Sequence, residues 1–129
     1  MAERDLPILF LRSEGAVLLA LSAFFYWLGD GSLVFFLVFF LVPDLGFLGY
    51  LGGSRVGAWV YNVLHSYLLP AVLVAVGSLT DRGPALLSFG LIWFAHIGMD
   101  RMLGYGLKHT SGFQDTHLGR IGRQATEQR

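Results

Sequence analysis

Four long apolar stretches run along the chain, separated by short clusters of glycine, proline and charged residues. The first extends from Gly15 to Gly29. Being short for the ~20 residues that a bilayer core demands, it draws in the apolar Leu6–Leu11. The second runs from Ser32 to Leu51 and contains the unbroken run Leu33–Val42, after which Pro43 and Asp44 interrupt it. A helix stopped at Pro43 would reach only ~18 Å at 1.5 Å per residue. The pattern therefore predicts a helix kinked near Pro43 and continuing through Gly46 and Gly49. The third stretch runs from Arg55 to Gly77 with a kink at Pro70, and the fourth from Pro84 to Tyr105. The fold expected is all-α: an integral membrane four-helix bundle forming one domain over residues 1–119, with a polar, mobile tail over 120–129.

Composition strengthens that reading. The chain is 54% hydrophobic and only 14% charged, against roughly 25% in soluble domains. Its mean hydropathy is +0.59. A 129-residue soluble domain could not hide so much apolar surface in one core. The start of the chain has basic and small residues, but Glu3, Asp5, Arg12 and Glu14 interrupt any signal-like pattern, so the first segment reads as a retained membrane helix. The formal net charge is zero, which offers nothing to a nucleic acid, and the lack of cysteine excludes disulfides and thiolate chemistry.

Charge asymmetry orients the bundle. Arg4, Arg12, Arg55, Arg101, Lys108, Arg120, Arg123 and Arg129 fall on the face that carries both termini, and Arg82 alone on the other. Both termini are thus expected in the cytoplasm, the membrane being the cell inner membrane. Tyr26 and Trp27 would mark the outer interface, with Tyr50, Trp59 and Tyr105 at the inner one.

Polar residues inside the spans carry the candidate chemistry. Counted from the helix ends on the terminal face, Asp44, Asn62, His65, His96 and Asp100 lie roughly 8–15 Å deep, so three helices feed one layer. Asn62 and His65 share a face at i, i+3, as do His96 and Asp100 at i, i+4. Each ionisable group there costs about 2.5–3.5 kcal/mol to insert, which makes the layer a functional candidate. A bland alternative is a structural hydrogen-bond network in which Asp44 or Asp100 pairs with Arg101.

Three chemistries fit the residue types. Imidazole and carboxylate suit a divalent metal held by Asp44, His65, His96 and Asp100, with His117 folding back as a fifth ligand. His65 and His96, at matching depth on consecutive helices, could instead ligate haem. Acid/base catalysis would use His65, His96 and Asp100, with Arg101 anchoring an anionic substrate and Asn62 in support. No local metalloprotease motif is present, and the glycines at 46, 49, 52, 53 and 57 make a packing face or turn rather than a nucleotide loop. Lys108 and His109 read as a solvated patch at the head-group level. The partners implied are the lipid bilayer and either a second copy of the chain or a larger membrane complex. In the latter case the protein would be a non-catalytic accessory subunit.

Longer strings narrow the field. Tyr61-Asn62-Val63-Leu64-His65 followed by Pro70, and the run His96-Ile97-Gly98-Met99-Asp100-Arg101 continuing to Lys108, resemble a small bacterial membrane-protein family known as domain of unknown function 4260. Pro43-Asp44, Gly112-Phe113 and Thr116-His117-Leu118-Gly119 are similar to further marks of that family. The resemblance implies a compact multi-pass membrane domain and adds weight to Asn62, His65, His96, Asp100, Arg101 and His117. It implies no activity.

Overall fold

The computed structural model describes residues 5–81 and 83–121. Helix α1 spans Asp5–Leu28 without interruption and starts ahead of the Gly15 boundary; Pro7 falls in its first turn, where a missing N–H is harmless. Next come α2 (Leu33–Phe40) and a 3₁₀ helix, Val42–Gly52, which together form the second span. The third span is α3 (Ser54–Leu64) and α4 (Leu68–Leu79), and the fourth is α5 (Gly83–Leu103). A two-residue pair of strands, β1 (Asp115–Thr116) and β2 (Gly119–Arg120), closes the described chain as an antiparallel hairpin. All four spans are long and apolar enough to cross a membrane, so the protein is a multi-pass, all-α membrane bundle. The domain boundary expected after residue 119 falls inside β2, and of the tail expected to be mobile over 120–129, residues 122–129 lie outside the described residues. Arg4, Arg82, Arg123 and Arg129, which enter the charge count, also lie outside them.

Helix α5 is the hub, with α1 along one side and α4 along another. Its crossing with α1 is made by two glycines. A Cβ at Gly98 would meet the Gly15 carbonyl at 2.7 Å, and one at Gly15 would meet the Gly98 carbonyl at 2.7 Å. Such backbone approach is how membrane helices associate when burial of apolar surface gains nothing over lipid. Arg12 adds a tie by donating from Nε to the Met102 carbonyl at 2.9 Å. Tyr26 is buried rather than anchored at a lipid interface: its hydroxyl donates to the Ser32 carbonyl at 2.7 Å beneath the α1–α2 turn.

Pro43 removes one helical N–H and crowds the preceding turn, and the chain continues as a tighter helix with three residues per turn. That period explains the glycine spacing. Pro43, Gly46, Gly49 and Gly52 fall on one face, against α3, where Cβ atoms at Gly46 and Gly49 would press on Leu64 and Val60. The adjacent face carries Asp44, Phe47 and Tyr50 in line.

Helix α3 stops at Leu64, and three residues pass before α4 begins; Pro70 sits in the first turn of α4. Carbonyls freed in a membrane must find donors within the protein. Here the donors are side chains: Ser66 Oγ to Val63, Trp93 Nε1 to Leu64 at 2.7 Å, and Arg101 Nη2 to His65 at 3.0 Å.

Candidate metal centre

Each ligand-type side chain reaches the centre by a different local device. Asp44 stands in the first turn of the 3₁₀ helix, so the distortion at Pro43 aims it. His65 is the C-cap of α3, at the break. Its backbone N–H and its Nδ1 both approach the Tyr61 carbonyl, at 2.8 and 3.0 Å, and its ring stacks on Tyr61 at 3.8 Å. An Nδ1–H donated to that carbonyl leaves the Nε2 lone pair facing the centre. His96 and Asp100 project from one face of α5. The His96 ring packs edge-on to Phe40, and its Nδ1 has no hydrogen-bond partner among the described residues.

The structure brings Asp44, His65, His96 and Asp100 together, with one ligand atom from each within 4.8 Å of all the others. His65 Nε2 lies 3.3 Å from Asp44 Oδ1 and 3.5 Å from Asp100 Oδ2. His96 Nε2 lies 3.2 Å and 3.5 Å from the same two oxygens, and the two Nε2 atoms are 3.3 Å apart. A tetrahedron with metal–ligand bonds of 2.0–2.1 Å has edges of about 3.3–3.4 Å, close to these five separations, and the sixth, between the two carboxylate oxygens, lies within 4.8 Å. Without an ion the same four atoms would form a hydrogen-bonded network, in which protonated imidazoles donate from Nε2 to the two carboxylate oxygens. The 3.3 Å separation of the two Nε2 atoms also leaves no slot for haem, whose two axial bonds would hold the nitrogens about 4 Å apart with the porphyrin between them.

Burial is uneven around the centre. The histidine side chains are 1% exposed, Asp100 is 11% exposed, and Asp44 is 35% exposed. Both carboxylates line a cavity of about 340 Å³ together with Phe47, Tyr61, Phe113 and Lys108.

Other expected site residues stand apart from this group. Asn62 receives the Lys108 N–H on Oδ1 at 2.6 Å and donates from Nδ2 to the Lys108 carbonyl at 2.8 Å, as a neighbouring strand would. Arg101 gives Nη1 to the Tyr105 carbonyl at 2.9 Å and Nη2 to His65, so its guanidinium holds backbone and does not line the cavity. His117 accepts the Leu107 N–H on Nδ1 at 2.8 Å, outside the four-residue group. Burial and the nearby Arg101 guanidinium push the His117 imidazole below its ordinary pKa.

Lys108 corrects the reading of a solvated patch. It is 5% exposed, with Nζ 4.0 Å from the centroid of Phe113 and 5.0 Å from that of Tyr61. Desolvation lowers its pKa, and the Asp100 carboxylate opposes that shift. The fold-back that buries it begins at Gly104, whose φ of 91° ends α5 with paired bonds from Gly104 N to Arg101 O and from Tyr105 N to Asp100 O. Strand-like pairing of Lys108 with Thr116 then lays the hairpin over the centre. Only the Gly-Tyr-Gly punctuation after α5 hinted at this in the sequence.

Fold and site together define a multi-pass α-helical membrane protein with a buried centre of two histidines and two aspartates. The chain belongs to the family described as Domain of unknown function (DUF4260), whose model matches residues 9–121. No curated protein and no solved structure matches the chain.

Proposed function

We propose that this chain is an inner-membrane metalloenzyme that holds one divalent transition ion, Zn²⁺ in the first instance, on Asp44, His65, His96 and Asp100. Both termini and the centre lie on the cytoplasmic side, as the basic residues favour. The single observation that carries this reading is the set of five ligand-to-ligand distances between 3.2 and 3.5 Å. Charge supports it as well. Two carboxylates neutralise a dication, and a neutral unit is far cheaper to bury in a bilayer than isolated ions.

Asp44 is the ligand suited to release a coordination position, because it is the most exposed of the four and faces the cavity. The bound ion would supply Lewis acidity and a water of lowered pKa. The chain's own residues orient the centre: the Tyr61 carbonyl and ring hold His65, Phe40 walls His96, and Phe113 and Ile121, on either side of the hairpin, line the cavity. Elemental analysis of detergent-purified protein carrying no polyhistidine tag tests the proposal. Near-stoichiometric zinc, iron or manganese is expected, and it should vanish in the His65→Ala/His96→Ala double variant. Metal-free protein that co-purifies with a larger complex would instead favour the accessory-subunit reading.

A further inference from the structure

Lys108 places a cation at the mouth of the centre with no carboxylate within 4.0 Å among the described residues. It is sequestered between two aromatic rings, and it shares its cavity with the two ligand carboxylates. Resting on the metal reading above, the charges in that cavity sum as follows: two aspartates cancel the dication, and Lys108 leaves one positive charge unmatched. The buried Arg101 guanidinium, hydrogen-bonded among the described residues to carbonyls alone, adds to the same potential. A positive cavity walled by aromatic rings beside a Lewis acid is a site for an anion, and lysine serves phosphate as a compact point charge. We propose that the cavity takes a phosphate group, held between the metal ion and the Lys108 ammonium. Any apolar remainder of the molecule would lie against Phe47, Phe113 and Tyr61. The phosphate could belong to a lipid head group or to a small soluble molecule, and the same chemistry recognises both.

Cobalt substitution separates this inference from the one beneath it. Tetrahedral Co²⁺ absorbs in the visible, and an anion entering its coordination shell changes that absorption. Titration of the cobalt protein with inorganic phosphate, and separately with short-chain phosphatidic acid in micelles, is expected to shift the bands saturably. A response to the phosphatidic acid at much lower concentration would assign the lipid source; equal responses would assign the soluble one. Lys108→Met should keep the cobalt spectrum and weaken phosphate binding at least tenfold, and Lys108→Arg should recover most of the loss. An intact cobalt spectrum that responds to neither probe, or equal affinity in Lys108→Met, overturns the phosphate assignment alone. Wild-type protein with no tetrahedral cobalt absorption sinks the metal reading and this inference with it.

Discussion

Arg101 reaches across from α5 to donate Nη2 to the carbonyl of His65, at the point where the third span breaks. The bond satisfies a carbonyl that lipid cannot, and it steadies the backbone of the residue whose imidazole enters the centre. Replacing Arg101 by Met leaves the His65 and Tyr105 carbonyls without these donors, at a cost of roughly 1.5–3 kcal/mol for the charged hydrogen bonds. Thermal unfolding in mild detergent should show a clear fall in midpoint, with Arg101→Lys recovering little because an ammonium cannot reach both carbonyls. An unchanged midpoint would mean that the break is held by Trp93 and Ser66 alone.

On the proposed metal reading, removing the ion should destabilise the bundle. An ion present at a hundred times its Kd adds about 2.7 kcal/mol to the folded state. Prolonged dialysis against a chelator is therefore expected to lower the unfolding midpoint, and stoichiometric zinc should restore it. Magnesium should not, since it demands octahedral oxygen ligands.

On the proposed metal reading, His65→Ala and His96→Ala are each expected to abolish metal retention through gel filtration, as each deletes one of the four ligands. His117→Ala should keep the metal, because its Nδ1 is engaged with the Leu107 N–H. Its cost should appear as about 1 kcal/mol of stability from that lost bond. Metal loss in His117→Ala would place it among the ligands.

His117 also predicts a pH dependence. Its folded pKa lies below its ordinary value of 6.5, so the unfolded chain takes up the proton more readily. Its contribution to stability is complete above that unfolded value and is lost as pH falls below about 6.5 toward the lower folded pKa. Protonation converts Nδ1 from acceptor to donor and breaks the bond to Leu107. Unfolding midpoints of metal-loaded protein between pH 7.5 and 5 should fall more steeply for the wild type than for His117→Asn, whose amide oxygen accepts at either pH.

The α1–α5 crossing leaves no room for a side chain. Gly98→Val would drive a branched side chain into the Gly15 carbonyl and the Leu19 backbone. Overpacking of this kind costs typically 1–3 kcal/mol. Resistance to unfolding in mixed micelles should drop by that order, whereas Gly112→Ala, whose Cβ would meet only the Asp115 carboxylate at 3.5 Å, should be close to neutral.

Four spans, the all-α fold and a polar layer drawn from three helices were all legible in the residues, because hydropathy is a local sum and helical spacing dictates which side chains share a face. His96 and Asp100, one turn apart on a regular helix, could be paired on that basis alone. The meeting of four ligand atoms could not. Asp44 arrives through a 3₁₀ helix that exists because Pro43 spoils the α-helix and Gly46 and Gly49 let the tighter coil lie against α3. His65 is aimed by a break whose loose carbonyls are satisfied by Trp93 and Arg101 on another helix. Lys108, next to His109 in a polar stretch, looks solvated until the turn at Gly104 folds the hairpin back and seats it between Tyr61 and Phe113. The sequence by itself determined how many times the chain can cross a bilayer and which of its helices carry the polar groups. Which of those groups touch was decided only by the tertiary structure, since contacts between residues about twenty to fifty positions apart depend on backbone distortions and partners that no local pattern encodes.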